Sequence, residues 1–206
     1  MKNYIIEFIG TFFLVLSIGL TGNPLAIGVM LMVMVYMGGH ISGAHYNPAV
    51  SIAMIFRGLL TIKEAINYII SQLAGAFLAA FFIQWLAGSV MEVEPSNTAS
   101  VLQILTVEFL FTFALVLVIL NVATNPKTAG NSYYGLAIGF TVMAGAFAGG
   151  GISGGAYNPA VGIGPILIDI ILGDGNTFPN LWYYLVGPIF GGLVAAYVYN
   201  LTAEES

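Results

Sequence analysis

The 206-residue chain carries four Lys or Arg and nine Asp or Glu, 6% charged residues where soluble domains have about 25%, and it is 59% hydrophobic with a mean hydropathy of +0.95. That composition excludes a water-soluble enzyme, a disordered chain and a nucleic-acid binder, whose phosphate contacts need basic clusters. The absence of cysteine removes disulfide scaffolds, thiolate metal sites and thiol nucleophiles, and the net charge of −5 rests on too few groups to indicate a partner.

Taken in chain order, apolar runs predict spans at 4–21, 25–40, 64–88, 101–123, 133–150 and 180–202. The first follows Lys2 closely, but it lacks a convincing small-residue cleavage site and five more spans follow, so it reads as a retained helix. None of the runs alternates as a membrane barrel strand would. The expected class is an all-α, multi-pass integral membrane protein whose main partner is the lipid bilayer. Six spans of about 20 residues leave roughly 80 for other segments.

Positive charges orient the spans. With the N-terminus in the cytoplasm, Lys2, Arg57, Lys63 and Lys127 all fall on that side, as do the C-terminal Glu204 and Glu205. Glu92, Glu94, Asp169 and Asp174 then fall outside. Trp85, Tyr133, Tyr134, Trp182, Tyr183 and Tyr199 sit near span ends, as headgroup-level anchors or as ordinary packing aromatics.

The chain repeats itself. Residues 40–53, HISGAHYNPAVSIA, laid over 151–164, GISGGAYNPAVGIG, give nine identities in fourteen positions at an offset of 111. At 101, Glu7, Phe8, Thr11 and Phe12 match Glu108, Phe109, Thr112 and Phe113; at 116, Tyr68, Gly75, Ala79 and Ala80 match Tyr184, Gly191, Ala195 and Ala196. The expected organisation is one membrane domain, 1–206, built of repeats 1–100 and 101–206. Three spans per repeat is an odd number, so the second repeat is inverted relative to the first. The motif segments run about ten apolar residues after Asn-Pro, or ~15 Å of helix, so two entering from opposite faces meet inside a ~30 Å core. Irregular backbone at that depth is tolerated when it is buried in protein or lines a water-filled cavity. The pattern predicts a pore.

Asn47-Pro48-Ala49 and Asn158-Pro159-Ala160 read as helix starts, because Asn is a preferred cap and Pro suits the first turn. One such motif would be a capped helix and nothing more. Two at symmetric positions aim the positive ends of two helix dipoles at one midplane spot, where the Asn amides can donate to a passing water and cations meet no compensation. The Gly-rich entries, 38–44 and 149–155, are expected as extended backbone lining the lumen with carbonyls. A phosphate-binding loop would want basic side chains and a strand-to-helix setting, both missing.

At these residues the chain resembles the aquaporin, or major intrinsic protein, family of water and small-solute channels. The resemblance implies six tilted helices plus two re-entrant half-helices in two inverted repeats, assembled as a homotetramer with a pore in each subunit. It also implies an outer selectivity filter of four positions, which spacing from the motifs carries over to Ile27, Ala146, Gly155 and Val161. Here the chain departs from the usual pattern: most members place Arg where Val161 stands, with an aromatic and a His at two of the others. The stretch after Val161, Gly162-Ile163-Gly164-Pro165, lacks the Asp of typical glycerol facilitators and looks more like the plant tonoplast-type branch. The expectation is water permeation with relaxed selectivity toward ammonia, urea, glycerol and hydrogen peroxide, and exclusion of ions and protons. No cofactor, metal or catalytic set is expected.

Glu7 and Glu108 lie within spans, where an uncompensated charge costs about 2.5–3.5 kcal/mol. The reading favoured over proton coupling is that each braces a re-entrant loop through backbone N–H groups. His40 and His45 flank the first motif and are read as packing and hydrogen-bonding groups, with protonation gating the alternative. Thr11, Thr112 and Tyr46 are expected to pack and bond locally. Small residues such as Gly75, Ala76, Ala79, Gly187 and Gly191 allow close helix approach, within a subunit or between subunits. The rival classes are a secondary transporter, which would carry coupling acids at the midplane, and a junctional protein with a closed pore.

Overall fold

Residues 1–203 are described by a computed structural model, in which helices account for all the regular structure; Glu204 and Glu205, expected on the cytoplasmic side, lie outside the described residues. Helix α1 (Lys2–Thr21) ends at Gly22 in the left-handed conformation, and Asn23-Pro24 restarts the chain as α2 (Pro24–Ser42), with the Asn23 side chain accepting from Leu25 N. A short helix follows, α3 (Pro48–Phe56), and then α4 (Ile62–Ala87), which begins with a reciprocal Thr61–Glu64 capping box. Helix α5 (Val101–Ile119) starts with the equivalent Ser100–Gln103 box and runs on into a π-helical turn, Leu120–Thr124. The remaining helices are α6 (Tyr134–Ser153), α7 (Pro159–Leu172) and α8 (Tyr183–Thr202). Six helical stretches are long and apolar enough to cross a membrane, and they coincide with the six expected spans to within a few residues.

Two expectations about local structure need correction. Helix α3 has nine residues, but α7 has fourteen, about 21 Å rather than the expected ~15 Å. The first stops at an Arg57-Gly58 turn, whereas the second continues helical through residues 166–172, apolar except for Asp169. The helix ends at Leu172, and the buried Asp169 within it ties down the loop that follows by accepting from Gly175 N, Thr177 N and Thr177 Oγ1. The Gly-rich entries are also mostly helical: α2 continues through Ser42 and α6 through Ser153, leaving only 43–46 and 154–157 irregular. Gly38 and Gly149 serve another purpose. A Cβ on Gly38 would overlap the Tyr46 hydroxyl, and one on Gly149 would come within 2.5 Å of the Tyr157 hydroxyl.

Packing follows the repeat. Helix α1 lies along α4 and α5 along α8, while α2 crosses α6 between the halves. Glycine makes these approaches possible: a Cβ on Gly75 would strike Phe8 O, one on Gly191 would strike Phe109 O, and Gly28 and Gly139 face each other's carbonyls where α2 meets α6. Gly75, Ala76, Ala79, Gly187 and Gly191 are thus used for contacts within the chain. The short helices are exchanged. Helix α3 packs chiefly on α8, the last span of the other half, and α7 packs chiefly on α4.

Candidate functional site

The site is built outward from two buried acids. Glu7 on α1 is fully buried, and its Oε1 accepts from Ser42 Oγ at 2.7 Å and His45 N at 2.9 Å. Its Oε2 accepts from Tyr46 N at 2.7 Å and Gln72 Nε2 at 2.8 Å. Glu108 on α5 does the same for the second loop, accepting from Ser153 Oγ, Ala156 N and Tyr157 N at 2.7, 3.1 and 2.7 Å. Each carboxylate thereby satisfies loop N–H groups that would otherwise be orphaned inside the membrane.

These bonds hold an unfavourable backbone. Tyr46 and Tyr157 have φ of 50° and 49°, left-handed values that bulky residues rarely adopt, and such geometry persists only when its surroundings over-determine it. Here the Tyr46 hydroxyl donates to Met34 O and the Tyr157 hydroxyl to Gly145 O, both at 2.9 Å. A second tyrosine ties down each preceding turn: Tyr68 donates to Ser42 O and Tyr184 to Ser153 O. The result is that the Tyr46 and Tyr157 carbonyls are presented to the opposite loop.

There the two motifs meet. Asn47 caps α3 by accepting from Ala49 N at 2.9 Å, and its Nδ2 donates to Tyr157 O at 3.0 Å. Asn158 caps α7 by accepting from Ala160 N at 2.9 Å, and its Nδ2 donates to Tyr46 O at 2.9 Å. Each amide has two N–H groups, so one remains to face the cavity that both residues line. The two short-helix N-termini converge on this point, with their dipoles' positive ends.

The cavity has a volume of about 320 Å³, and its polar lining residues include His45, Asn47 and Asn158. Most of the remaining lining is apolar, including Leu14, Leu31, Leu115, Ile119, Ile138 and Val142. No acidic residue lines it, and among the described residues no three His, Asp or Glu cluster closely enough to hold a metal. Ile27, Ala146, Gly155 and Val161 border this same space, as do Asn47 and Asn158; Pro48, Ala49, Pro159 and Ala160 are buried in the helix starts behind it. Val161 presents a small, uncharged aliphatic side chain to the cavity.

The other singled-out residues divide: His45 and Thr11 bond locally as expected, and His40, Thr112 and Tyr46 depart from expectation. His45 lines the cavity and pairs through Nδ1 with Ser51 Oγ at 3.1 Å, but His40 is exposed and borders a separate cleft. Thr11 donates locally to Glu7 O, whereas the buried Thr112 hydroxyl finds no hydrogen-bond partner among the described residues. Tyr46 is more than a packing group, since its carbonyl receives Asn158. Gln72, which bridges Glu7 and Ser51, was not foreseen at all. Its repeat equivalent is Pro188, so the self-comparison that revealed Glu7 and Glu108 is silent there.

The profile of the family described as major intrinsic protein matches residues 16–199. The chain belongs to the major intrinsic protein family. It is 34% identical to aquaporin NIP1-1 of Zea mays, over 98% of this chain and 74% of the relative, and 36% identical to a probable NIP-type aquaporin of Nicotiana alata, over 98% and 77%. Among solved structures, the aquaglyceroporin of Plasmodium falciparum superposes with a TM-score of 0.86 at 27% identity, covering 98% of this chain and 96% of that one. Both plant relatives are NIP-type, whereas the stretch after Val161 was expected to resemble the tonoplast-type branch. Membership fixes the all-α architecture and the multi-pass membrane setting, and members of the family are channels, not enzymes.

Proposed function

We infer that this chain is a passive transmembrane channel that conducts water and small neutral solutes and holds back ions and protons. The observation that carries the reading is the reciprocal pair of Asn-to-carbonyl bonds at the meeting point of two helix N-termini, with one amide N–H of each Asn left for the lumen. A water passing there accepts from fixed donors and turns its hydrogens away, which interrupts a proton wire, and a cation meets positive half-dipoles. A coupled transporter would need acids free in the lumen. Glu7 and Glu108 are instead occupied by loop donors.

The solute range follows from the filter. Ile27, Ala146, Gly155 and Val161 would form an apolar outer ring with no fixed charge, so selection rests on size and on the midplane dipoles. Ammonia, hydrogen peroxide, urea and glycerol are the proposed passengers beside water, which accords with the word aquaglyceroporin in the Plasmodium falciparum relative's description. The chain forms one channel domain of two inverted repeats, 1–100 and 101–206, with both termini cytoplasmic, and four copies assemble with a pore in each. Stopped-flow permeability of reconstituted vesicles tests the reading. Water, urea and glycerol flux above empty vesicles, unsaturated and independent of ion gradients, is expected; flux equal to empty vesicles overturns it.

A further inference from the structure

Away from the pore, the end of α3, the turn after α5 and the end of α8 enclose a separate cleft of about 760 Å³. Two of the chain's four basic residues, Arg57 and Lys127, line it, and no acidic residue does among those described. Arg57 is held in place: its guanidinium lies over the buried Tyr199 ring, 4.5 Å from the centroid, and one terminal nitrogen donates to Asn200 Oδ1. Its Nε is nevertheless buried with no hydrogen-bond partner among the described residues. A buried charged donor left unmatched is costly, and here it sits on a guanidinium whose plane is already fixed. Lys127, which has an interaction of its own, is exposed and lines the same cleft, together with the neutral polar Asn121 and Asn125.

We propose that this cleft is an anion site for a phosphate oxyanion, with Arg57 the fork that recognises it and Lys127 the second charge that draws it in. A fixed planar guanidinium suits the geometry of a phosphate, to which it can give parallel hydrogen bonds, and a lysine on a flexible stem suits a point-charge contact. The phosphate can belong to a lipid headgroup at the membrane surface or to a soluble ion. Permeation is not needed for the site, so it stands apart from the pore.

Delipidated protein in detergent is titrated with short-chain phosphatidic acid, with phosphatidylcholine and with inorganic phosphate, and binding is read by native mass spectrometry and thermal shift. Phosphatidic acid is expected to bind about tenfold more tightly than phosphatidylcholine, and Arg57→Gln to lower that binding about tenfold. Lys127→Gln should lower it a few-fold, and Arg57→Lys, which keeps the charge but loses the fork, should fall between wild type and Arg57→Gln. Competition by inorganic phosphate assigns the site to any phosphate; lipid binding without competition assigns it to headgroups. Because Ala203 lines the cleft and two acids, Glu204 and Glu205, come next in the sequence, the titrations are repeated on a chain ending at Ala203. Equal affinity for both lipids in both forms, with no phosphate binding, or binding indifferent to Arg57→Gln and Lys127→Gln, overturns the proposal.

Discussion

The side-chain amide of Asn47 donates to the backbone carbonyl of Tyr157 at 3.0 Å, and Asn158 makes the return bond to Tyr46. The same Asn side chains cap α3 and α7, so a single residue type starts each short helix and fastens it to the other. Replacing Asn47 with Ala removes a cap and a buried cross-bond together. A loss of roughly 1–3 kcal/mol is expected, read as a lower unfolding temperature in detergent, with reduced water permeability in vesicles. Asn47→Ala combined with Asn158→Ala should cost less than the two single losses added, because the residues share one junction. Strict additivity would show the two loops to be independent.

Glu7→Gln replaces one carboxylate oxygen with an NH2 group that must face existing donors. Glu7 receives four of these and Glu108 three, so Glu7→Gln should be the more damaging, with each variant losing about 1–3 kcal/mol per bond broken. Whatever flux survives should be the same with and without a pH gradient. A gradient-dependent flux in wild type that Glu7→Gln abolishes would restore the transporter reading.

Gly38→Ala should destabilise by roughly 1–3 kcal/mol, since its Cβ would overlap the Tyr46 hydroxyl. Tyr46→Phe removes that hydroxyl and should recover part of the loss in the double variant. Recovery will be incomplete, because Ile6 also lies 2.6 Å from the new Cβ. Thermal unfolding of the four-variant cycle decides; no recovery would mean that the strain lies elsewhere.

Val161→Arg should leave water flux comparable or lower and suppress urea and glycerol flux, because it adds width-limiting bulk and a fixed charge to an apolar ring. Parallel stopped-flow measurements of the three permeants decide. If urea and glycerol do not permeate wild-type vesicles, the relaxed filter is wrong.

The spans were legible because twenty apolar residues have few alternatives, and the two Asn-Pro-Ala starts were legible because the chain states them twice. Repetition also revealed Glu7 and Glu108, whose charges stand out in an apolar run. What escaped is what appears once or depends on three dimensions. Gln72 is an uncharged polar residue with proline at its repeat position, so neither cost nor symmetry flagged it. The helical state of Gly38–Ser42 was hidden by glycine's reputation as a breaker; there it makes room for a tyrosine ring rather than bending the chain. The extra length of α7 was hidden by Asp169, a charged residue inside the helix whose donors lie as far as eight residues along, in Thr177.

The exchange of short helices, α3 onto α8 and α7 onto α4, sets an order of events during synthesis. When the ribosome has completed α4, Asn47 is already in place, but its acceptor at Tyr157 has not yet been made, and the surface α3 will rest on is a helix still to come. The first loop's partners are thus supplied in two parts, the Tyr157 carbonyl from the second loop and the packing surface from the final span. Passage and structural support are therefore one feature: the residues that border the cavity at its middle are the ones that tie the two halves of the chain together.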